Sequence, residues 1–288
     1  MQSITFLPSA KGNIGVVWET FIVRLKIISR YKGALFMDCI VPTLFAAMPI
    51  LLGSSLSGSI NAASQNFQAN TGLTGVDYVA YIVIGANVFS SVTAGMWLFG
   101  FFIRREQMLG TLESISMSPS HKLGLLGGLT MYVTIRSLFT FITGYFIGCI
   151  LFGLNPFQGN FVLALLILSF GLIPIYGLSF LLGALILKVK EANSLLNTLQ
   201  WGLGIIMGVF FPVTALPIYL RAIAYIFPGY FVNHTVQATL TNLGYFFGNL
   251  YFDLAILFLF ALVCPFLGYT IYSKVEGRMK KAEGIGQF

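Results

Sequence analysis

Long apolar runs separated by short polar stretches make up most of this chain. A helix needs about 20 mostly apolar residues to cross a hydrocarbon core of about 30 Å. Six runs meet that requirement, at residues 33–56, 79–103, 123–154, 161–187, 195–211 and 250–272. Backbone groups in lipid must hydrogen-bond internally, and these runs are too long and continuous for barrel strands. The pattern predicts an all-α integral membrane protein with six transmembrane helices.

The placement of charge predicts how these helices cross the membrane. Only 9% of the residues are charged, 57% are hydrophobic and the mean hydropathy is +0.87, which is outside the range of soluble globular chains. Lys and Arg collect at 11–32, 104–122, 188–190 and 274–281, and short cytoplasmic loops favour these residues. Both termini are therefore expected in the cytoplasm, in a multi-pass protein of the plasma membrane. The net charge of +7 then faces anionic lipid and implies no nucleic-acid partner.

The chain is expected to form one transmembrane domain over residues 1–288, with a cytoplasmic segment at 1–32, the bundle at 33–273 and a cytoplasmic tail at 274–288. The first apolar run has the length of a span rather than the about 7–15 residues of a signal-peptide core, so an uncleaved anchor is expected. Apolar residues of the first segment recur at helical spacing: Ile14, Val17, Phe21, Leu25 and Ile28. They predict an amphipathic helix on the cytoplasmic surface, which either positions the first span or contacts a partner.

Two connections on the outer side differ in character. Residues 57–76 are uncharged and rich in Ser, Asn, Gln and Gly, which predicts a flexible, solvated loop. Residues 212–249 are too apolar for such a loop, yet Pro212, Pro217 and Pro228 interrupt any continuous helix. A seventh crossing would also place the basic tail outside. This segment is therefore interpreted as outer re-entrant or interfacial helices between spans five and six.

The chain lacks the motifs of membrane enzymes and ATPases. It contains no GxxxxGK[ST] phosphate loop, no GxSxG elbow and no HExxH helix. Its histidines, His121 and His234, are far apart and on opposite predicted sides of the membrane, which argues against a paired metal site. The three cysteines lie in apolar runs, as packing residues do. We expect neither catalysis nor a metal or cofactor in this chain.

Polar groups inside the runs are the candidate binding residues. In the fifth run, Asn193, Asn197 and Gln200 follow a helical stripe that continues to Gly204 and Gly208. Amide side chains hydrogen-bond across helices in membranes, and a GxxxG pair lets two backbones approach closely. The stripe is either a helix-packing or dimer interface, or part of a substrate path.

Few ionisable residues lie within the runs, where they are costly and persist mainly for function. Arg136 lies in the third run, Asp38 near the cytoplasmic end of the first and Asp253 near the outer end of the sixth. Arg136 either reaches the cytoplasmic interface with its long side chain or has a functional role.

The insert at 104–120 has the pattern of a short amphipathic helix between the second and third spans. Met108, Leu112 and Ile115 fall on one stripe, while Glu106 and Glu113 fall on another. Pro119 ends the helix. Such a helix either lies flat on the membrane surface or docks into a groove of another protein.

At these residues the sequence resembles the permease subunits of type-2 ABC exporters. The family has an acidic residue followed by GT-apolar-E and a Ser/Thr-Pro after its second span. The matching residues are Glu106, Gly110, Thr111, Leu112, Glu113, Ser118 and Pro119. A later FP…LP…P arrangement is matched by Gly208, Phe211, Pro212, Leu216, Pro217, Leu220 and Pro228. With the expected spans and termini, the resemblance covers nearly the whole chain.

The resemblance implies a dimer, of this chain with itself or with a related permease, on two copies of a separate ATPase subunit that binds ATP and Mg²⁺. Glu106, Gly110, Thr111, Leu112, Glu113 and Pro119 would belong to the coupling helix that docks into the ATPase. Phe211, Pro212, Leu216 and Pro217 would form an outer gate. The first and fifth spans would meet across the dimer.

The expected function is export of an amphipathic or hydrophobic substrate by alternating access, the substrate being a drug-like molecule, a lipid or a glycan. Two alternatives of other classes stay open. An ion-coupled secondary transporter would need no ATPase partner. A membrane assembly factor or receptor would bind a partner and move no solute.

Overall fold

The computed structural model describes residues 10–102, 105, 122–186, 192–241 and 243–283. These residues form helices and short connections without any strand. Five of the helices are long and apolar enough to cross a membrane, which confirms an all-α membrane protein. They are α2 (Lys32–Ser57), α4 (Tyr78–Gly100), α5 (Lys122–Phe152), α6 (Phe161–Ile186) and α10 (Leu250–Glu283). The shorter helices are α1 (Ala10–Arg30), α3 (Ile60–Thr71), α7 (Ala192–Ile206), α8 (Ile218–Ile226) and α9 (Pro228–Leu240).

Helix α4 is the centre of the molecule and the most buried of the five long helices. It packs against α2, α5 and α6, and α6 packs along α10. Glycines allow the α6–α10 approach: a Cβ on Gly177 would meet the backbone of Cys264 and Pro265, and one on Gly268 would meet the backbone of Gly177. In lipid, where apolar surface gives no hydrophobic drive to associate, such backbone contact favours helix pairing.

The N-terminal helix predicted from periodicity is present as α1. Its Phe21 is buried, Leu25 and Ile28 are partly buried, and Ile14 is exposed. The helix packs against α5, where a Cβ on Gly128 would meet the Val17 carbonyl and the Thr20 side chain. The apolar face of α1 therefore faces the bundle itself.

The fifth predicted run forms a helix only as far as Ile206. At 1.5 Å per residue, its 15 residues are about 22 Å long, so α7 is not among the helices that can span a membrane by length. The helix ends because Gly208 adopts a left-handed conformation with φ of 67°. The Gly208 carbonyl accepts hydrogen bonds from the Tyr81 hydroxyl (2.8 Å) and the Asn233 amide (3.2 Å).

Helix α7 runs antiparallel to α4. At its beginning, Leu196 lies against Gly100 at the end of α4. Beyond its last turn, the Val209 carbonyl lies against Gly85 in the first half of α4. The helix and the following residues 207–209 thus extend along most of the length of α4.

The segment after α7 is broken into short helices, as its prolines predict. A 3₁₀ turn at Val213–Ala215 is followed by α8 and α9. Every residue of α9 except His234 is buried, and the helix packs against α4 and α6. Its C-terminal end meets the connection between α5 and α6, where the Asn160 backbone N–H donates to the Thr239 carbonyl at 3.2 Å.

The prediction of a flexible loop over residues 57–76 is wrong for its central part, which forms α3. The Ser59 hydroxyl accepts a hydrogen bond from the Ala62 N–H at 3.1 Å and caps the beginning of the helix. Gly72, with φ of 72°, ends it, and its N–H donates to the Gln68 carbonyl. Cap residues at both ends allow a polar helix to form where composition alone indicated a loop. The last spanning helix also exceeds its predicted end and continues to Glu283.

Candidate substrate cavity

A cavity of about 610 Å³ lies between helices α2, α4, α5 and α7. This volume is within the range of about 300–1,000 Å³ that is usual for small-molecule sites. Its polar lining consists of Asp38, Ser90, Ser91, Thr93, Arg105, Arg136, Ser137, Thr140, Asn193 and Gln200. Its aromatic lining consists of Phe45, Phe89, Trp97 and Phe101. The combination suits a molecule with both polar and apolar parts.

An ion pair between two helices lines this cavity. The Arg136 Nε donates to Asp38 Oδ2 at 2.7 Å, and its Nη2 donates to Asp38 Oδ1 at 2.9 Å. This two-point geometry is the strongest that Arg and a carboxylate form. The side chains of Arg136 and Asp38 are 30% and 23% exposed, so both can be reached from the cavity. The negative charge of Asp38 lowers the free-energy cost of placing the Arg136 guanidinium inside the bundle.

The hydroxyl groups of the lining are held by the backbone. The Ser91 hydroxyl donates to the Asn87 carbonyl at 3.0 Å, and Ser91 and Ser137 each lie within 3.5 Å of the other's carbonyl oxygen. Both serines are buried. Short side chains here keep α4 and α5 close together and leave space for the cavity on their common side.

Trp97 and Gln200 connect α4 with α7 at the cavity wall. The Trp97 indole N–H donates to Gln200 Oε1 at 2.5 Å, and the Trp97 ring stacks on Phe101 with centroids 5.5 Å apart. The indole N–H requires such a partner when it is buried. The flat face formed by Trp97 and Phe101 is therefore held in place.

The polar stripe predicted on the fifth span is divided in the structure. Asn193 and Gln200 line the cavity, whereas Asn197 is exposed on the outside of the bundle. Gly204 lies against the Phe89 ring, and Gly208 forms the turn that ends α7. A role of the stripe in a dimer stays a prediction.

The residues predicted as an outer gate surround the turn after α7. Pro212 and Leu216 are buried, Phe211 is half-buried and Pro217 is exposed. Arg221 closes the turn, because its Nη2 donates to the Leu216 carbonyl at 3.1 Å. These residues form a compact structure on the side of the bundle opposite to Arg105.

The predicted coupling residues Glu106, Gly110, Thr111, Leu112, Glu113 and Pro119 lie outside the described residues. Arg105 is the described residue of this insert, and it lines the cavity. Its backbone N–H donates to the Phe101 carbonyl at 2.8 Å, which is the four-residue spacing of an α-helical hydrogen bond. The insert thus begins at the cavity wall.

Sequence reasoning considered Asp38 and Arg136 separately and missed their contact. Opposite charges in two apolar runs are a signal for pairing, since each is costly alone. Phe45 and Trp97 were also missed. Aromatic residues are common in spans, so no sequence signal distinguishes those that line a cavity.

The chain matches no protein-family model and no curated protein. Among the described residues, no group of three or more His, Cys, Asp and Glu side chains is close enough to hold a metal ion. The cavity and the sequence motifs are therefore the features of this chain that bear on its function.

Proposed function

We propose that this chain is the membrane-spanning permease subunit of an ATP-driven exporter of the type-2 ABC class. The observation that carries the proposal is the cavity, which lies between spanning helices and includes Arg105, the first described residue of the GTLE…SP insert. A movement of the insert would therefore act directly on the cavity wall. ATP and Mg²⁺ bind to a separate ATPase subunit, and this chain itself is not an enzyme.

Six crossings agree with the contacts of α7. The helix begins beside Gly100, at one end of α4, and the chain passes Gly85 before it reaches α9. Thr239 in α9 then meets Asn160, in the connection between the third and fourth spans. A chain that goes from one end of α4 to the connection at the other end has crossed the bundle. With α7 as the fifth crossing, both termini lie in the cytoplasm of a plasma-membrane protein.

A dimer agrees with the outer surfaces of α2 and α7. Large apolar side chains that lie outside the pockets project from both helices: Phe36, Leu51, Leu56 and Ile205 are all exposed on this chain. The family resemblance implies that the first and fifth spans meet across a dimer. The partner is a second copy of this chain or a related permease, and lipid covers the remaining apolar surface.

The transport cycle follows from the positions of the cavity and the outer segment. In this conformation the cavity lies at the end of the bundle near Arg105, while the buried helix α9 fills the opposite end. Substrate enters from the cytoplasmic side. Closure of the ATPase subunits moves the coupling helices and favours the state that is open to the outside, because the two states differ in their ATPase contacts.

The coupling assignment is tested by Glu113→Lys, which reverses the charge of the docking motif. We expect unchanged membrane insertion and at least about tenfold weaker association with the partner ATPase subunit, corresponding to about 1.4 kcal/mol. Co-purification and substrate-stimulated ATP hydrolysis in proteoliposomes measure the effect. Glu276→Lys makes the same charge change in the C-terminal tail and is the matched control. Full ATPase association and stimulation with Glu113→Lys would refute the assignment.

An ion-coupled secondary transporter is the second candidate, and the Asp38–Arg136 pair favours it. Paired charges at membrane depth are common in proton relays. Such a carrier would accumulate substrate in proteoliposomes under a proton gradient without any ATPase. Gradient-driven transport that Asp38→Asn abolishes would support this candidate over the exporter.

A further inference from the structure

We infer that the cavity selects negatively charged amphiphiles, with the acidic head group bound at Arg136 and Arg105 and the apolar tail directed past Phe45. The inference concerns the substrate class and rests on the proposed transport function. Three features of the described residues support it: the charge of the lining, the unused donors of Arg136 and the apolar groove that continues from the cavity.

The described lining has an excess of positive charge. Arg105 and Arg136 contribute two guanidinium groups, and Asp38 contributes one carboxylate. This balance attracts an anion and repels a cation, and the attraction is stronger at the partly buried Arg136 than at the exposed Arg105, where water weakens it. The selection for anions follows from this balance.

The guanidinium of Arg136 is suited to hold a further anion. Its bonds to Asp38 use two of the five N–H donors of an arginine. The Tyr132 hydroxyl lies beside it and can occupy one more. At least two donors remain, and the fork geometry of arginine matches a carboxylate or a phosphate. Asp38 thus orients the guanidinium and also competes with the ligand for it.

An apolar groove of about 420 Å³ continues from the cavity along α2 and α7. Phe45 lines both spaces, and its ring centroid lies 6.1 Å from that of Phe89 and 5.6 Å from that of Trp201. The groove is further lined by Leu44, Met48, Pro49, Leu52 and Phe210. Its lining is aliphatic and aromatic, so it suits an alkyl chain.

The two spaces together have the length of a lipid-like molecule. Asp38 and Leu52 are 14 residues apart on one helix, which corresponds to about 21 Å. Each leaflet of a bilayer provides about half of the 30 Å hydrocarbon core for its chains. A single alkyl chain with its head group at Arg136 therefore fits within the groove.

Binding can be measured by tryptophan quenching without any ATPase. The full chain carrying Trp18→Phe keeps Trp97 and Trp201 as reporters and is placed in nanodiscs of neutral phosphatidylcholine. The probes are 9,10-dibromostearate and its methyl ester, which share a tail and differ in charge. We expect the anion to quench at a concentration at least about tenfold lower than the ester.

Three variants separate head-group recognition from a structural effect. Arg136→Gln should weaken binding of the anion about tenfold and leave the ester unchanged. Asp38→Asn should strengthen binding of the anion several-fold, because the competing carboxylate is removed. Loss of structure would instead weaken both probes. Arg105→Gln alters a cation outside the described ion pair, and we expect a two- to five-fold loss for the anion alone.

Equal quenching by anion and ester would overturn the inference, as would binding of the anion that neither Arg136→Gln nor Arg105→Gln reduces. Tighter binding of a cationic amphiphile such as oleylamine would also overturn it. Because no ATPase is present, these results are independent of the Glu113→Lys experiment. Anion selectivity without ATPase coupling would refute the exporter alone, and ATPase coupling without anion selectivity would refute this inference alone.

Discussion

At the scale of single residues, the pairing of Asp38 with Arg136 explains how a charged side chain is accommodated in the third span. Arg136 is 14 residues, or about 21 Å, from the first residue of α5, whereas its partner Asp38 is only six residues, or about 9 Å, from the first residue of α2, so the pair lies in the half of the bundle that contains the start of α2. Its bond to Asp38 on α2 supplies a counter-charge at the same depth. Both residues could be identified from the sequence. Predicting their contact would have required the positions of α2 and α5 relative to each other along the membrane normal.

A second group of buried polar residues lies under the outer segment. Asp253 is fully buried, and its two carboxylate oxygens accept hydrogen bonds from the N–H groups of Phe246 (3.0 Å) and Phe247 (3.2 Å). His234 on α9 contacts the Tyr230 and Phe246 rings. Its buried Nδ1 has no hydrogen-bond partner among the described residues. Burial lowers the pKa of His234, and the charge of Asp253 offsets this only in part.

The lowered pKa of His234 predicts a loss of stability in acid. The folded state disfavours the protonated imidazole, so between the folded pKa and the unfolded value of about 6.5 the unfolded state binds more protons. The stability contributed by neutral His234 is therefore present above about pH 6.5 and declines as the pH falls below it. We expect the midpoint of thermal unfolding to fall less between pH 7 and pH 5 in His234→Gln than in the wild type.

The measurement is a thermal melt of the detergent-solubilised protein at several pH values. A stability change of 1 kcal/mol corresponds to about 2–4 °C in domains of 150–250 residues, so the difference is measurable. His121→Gln removes the other histidine and should keep the wild-type pH dependence. Identical pH profiles for wild type and His234→Gln would show that His234 has no such role.

At the scale of elements, glycines determine which helices pack closely. Gly128 gives α1 access to the backbone of α5, and Gly177 with Gly268 does the same for α6 and α10. The periodicity of α1 indicated an apolar face, but it left open whether that face contacts lipid, a partner or the bundle. The contact at Gly128 answers this, because the α1 backbone occupies the space in which a side chain would stand.

Gly128→Leu should separate α1 from α5. The new side chain would overlap the Val17 carbonyl and Thr20, and overpacking of this kind costs about 1–3 kcal/mol. We expect a lower melting temperature and faster proteolysis within α1. Gly202→Leu is the control, since a Cβ there meets nothing within 4 Å and leucine favours a helix more than glycine does. Equal melting temperatures for the two variants would contradict this account of α1.

At the scale of the whole molecule, the number of crossings depends on the short helix α7. Length and hydropathy identify five spanning helices among the described residues. The charge pattern predicts that both termini lie on the same side of the membrane, which requires an even number of crossings. The contacts of α7 and of residues 207–209 along α4, from Gly100 to Gly85, favour the sixth crossing. The extra length comes from the non-helical residues 207–211, which are sheltered by α4 and α9 rather than by lipid.

Single cysteines can test this topology. In a variant with Cys39, Cys149 and Cys264 replaced by alanine, Asn61→Cys and Asn249→Cys should react with a membrane-impermeant maleimide added to intact cells. Lys274→Cys should react only after permeabilisation, because six crossings return the chain to the cytoplasm. If α7 did not cross, Asn249→Cys and Lys274→Cys would exchange their behaviour while Asn61→Cys kept its own.

Hydropathy, periodicity and proline placement were sufficient to predict the class of fold, the long apolar helices, the amphipathic helix α1 and the break in the segment after α7. Lipid imposes these features, since it requires continuous apolar helices and allows prolines to interrupt them only in shelter. The tertiary structure alone decided the capped helix α3, the end of α7 at Gly208, the Asp38–Arg136 pair and the cavity beside it. These features depend on contacts between residues distant in sequence, and periodicity within one helix contains no information about the height or rotation of its neighbour.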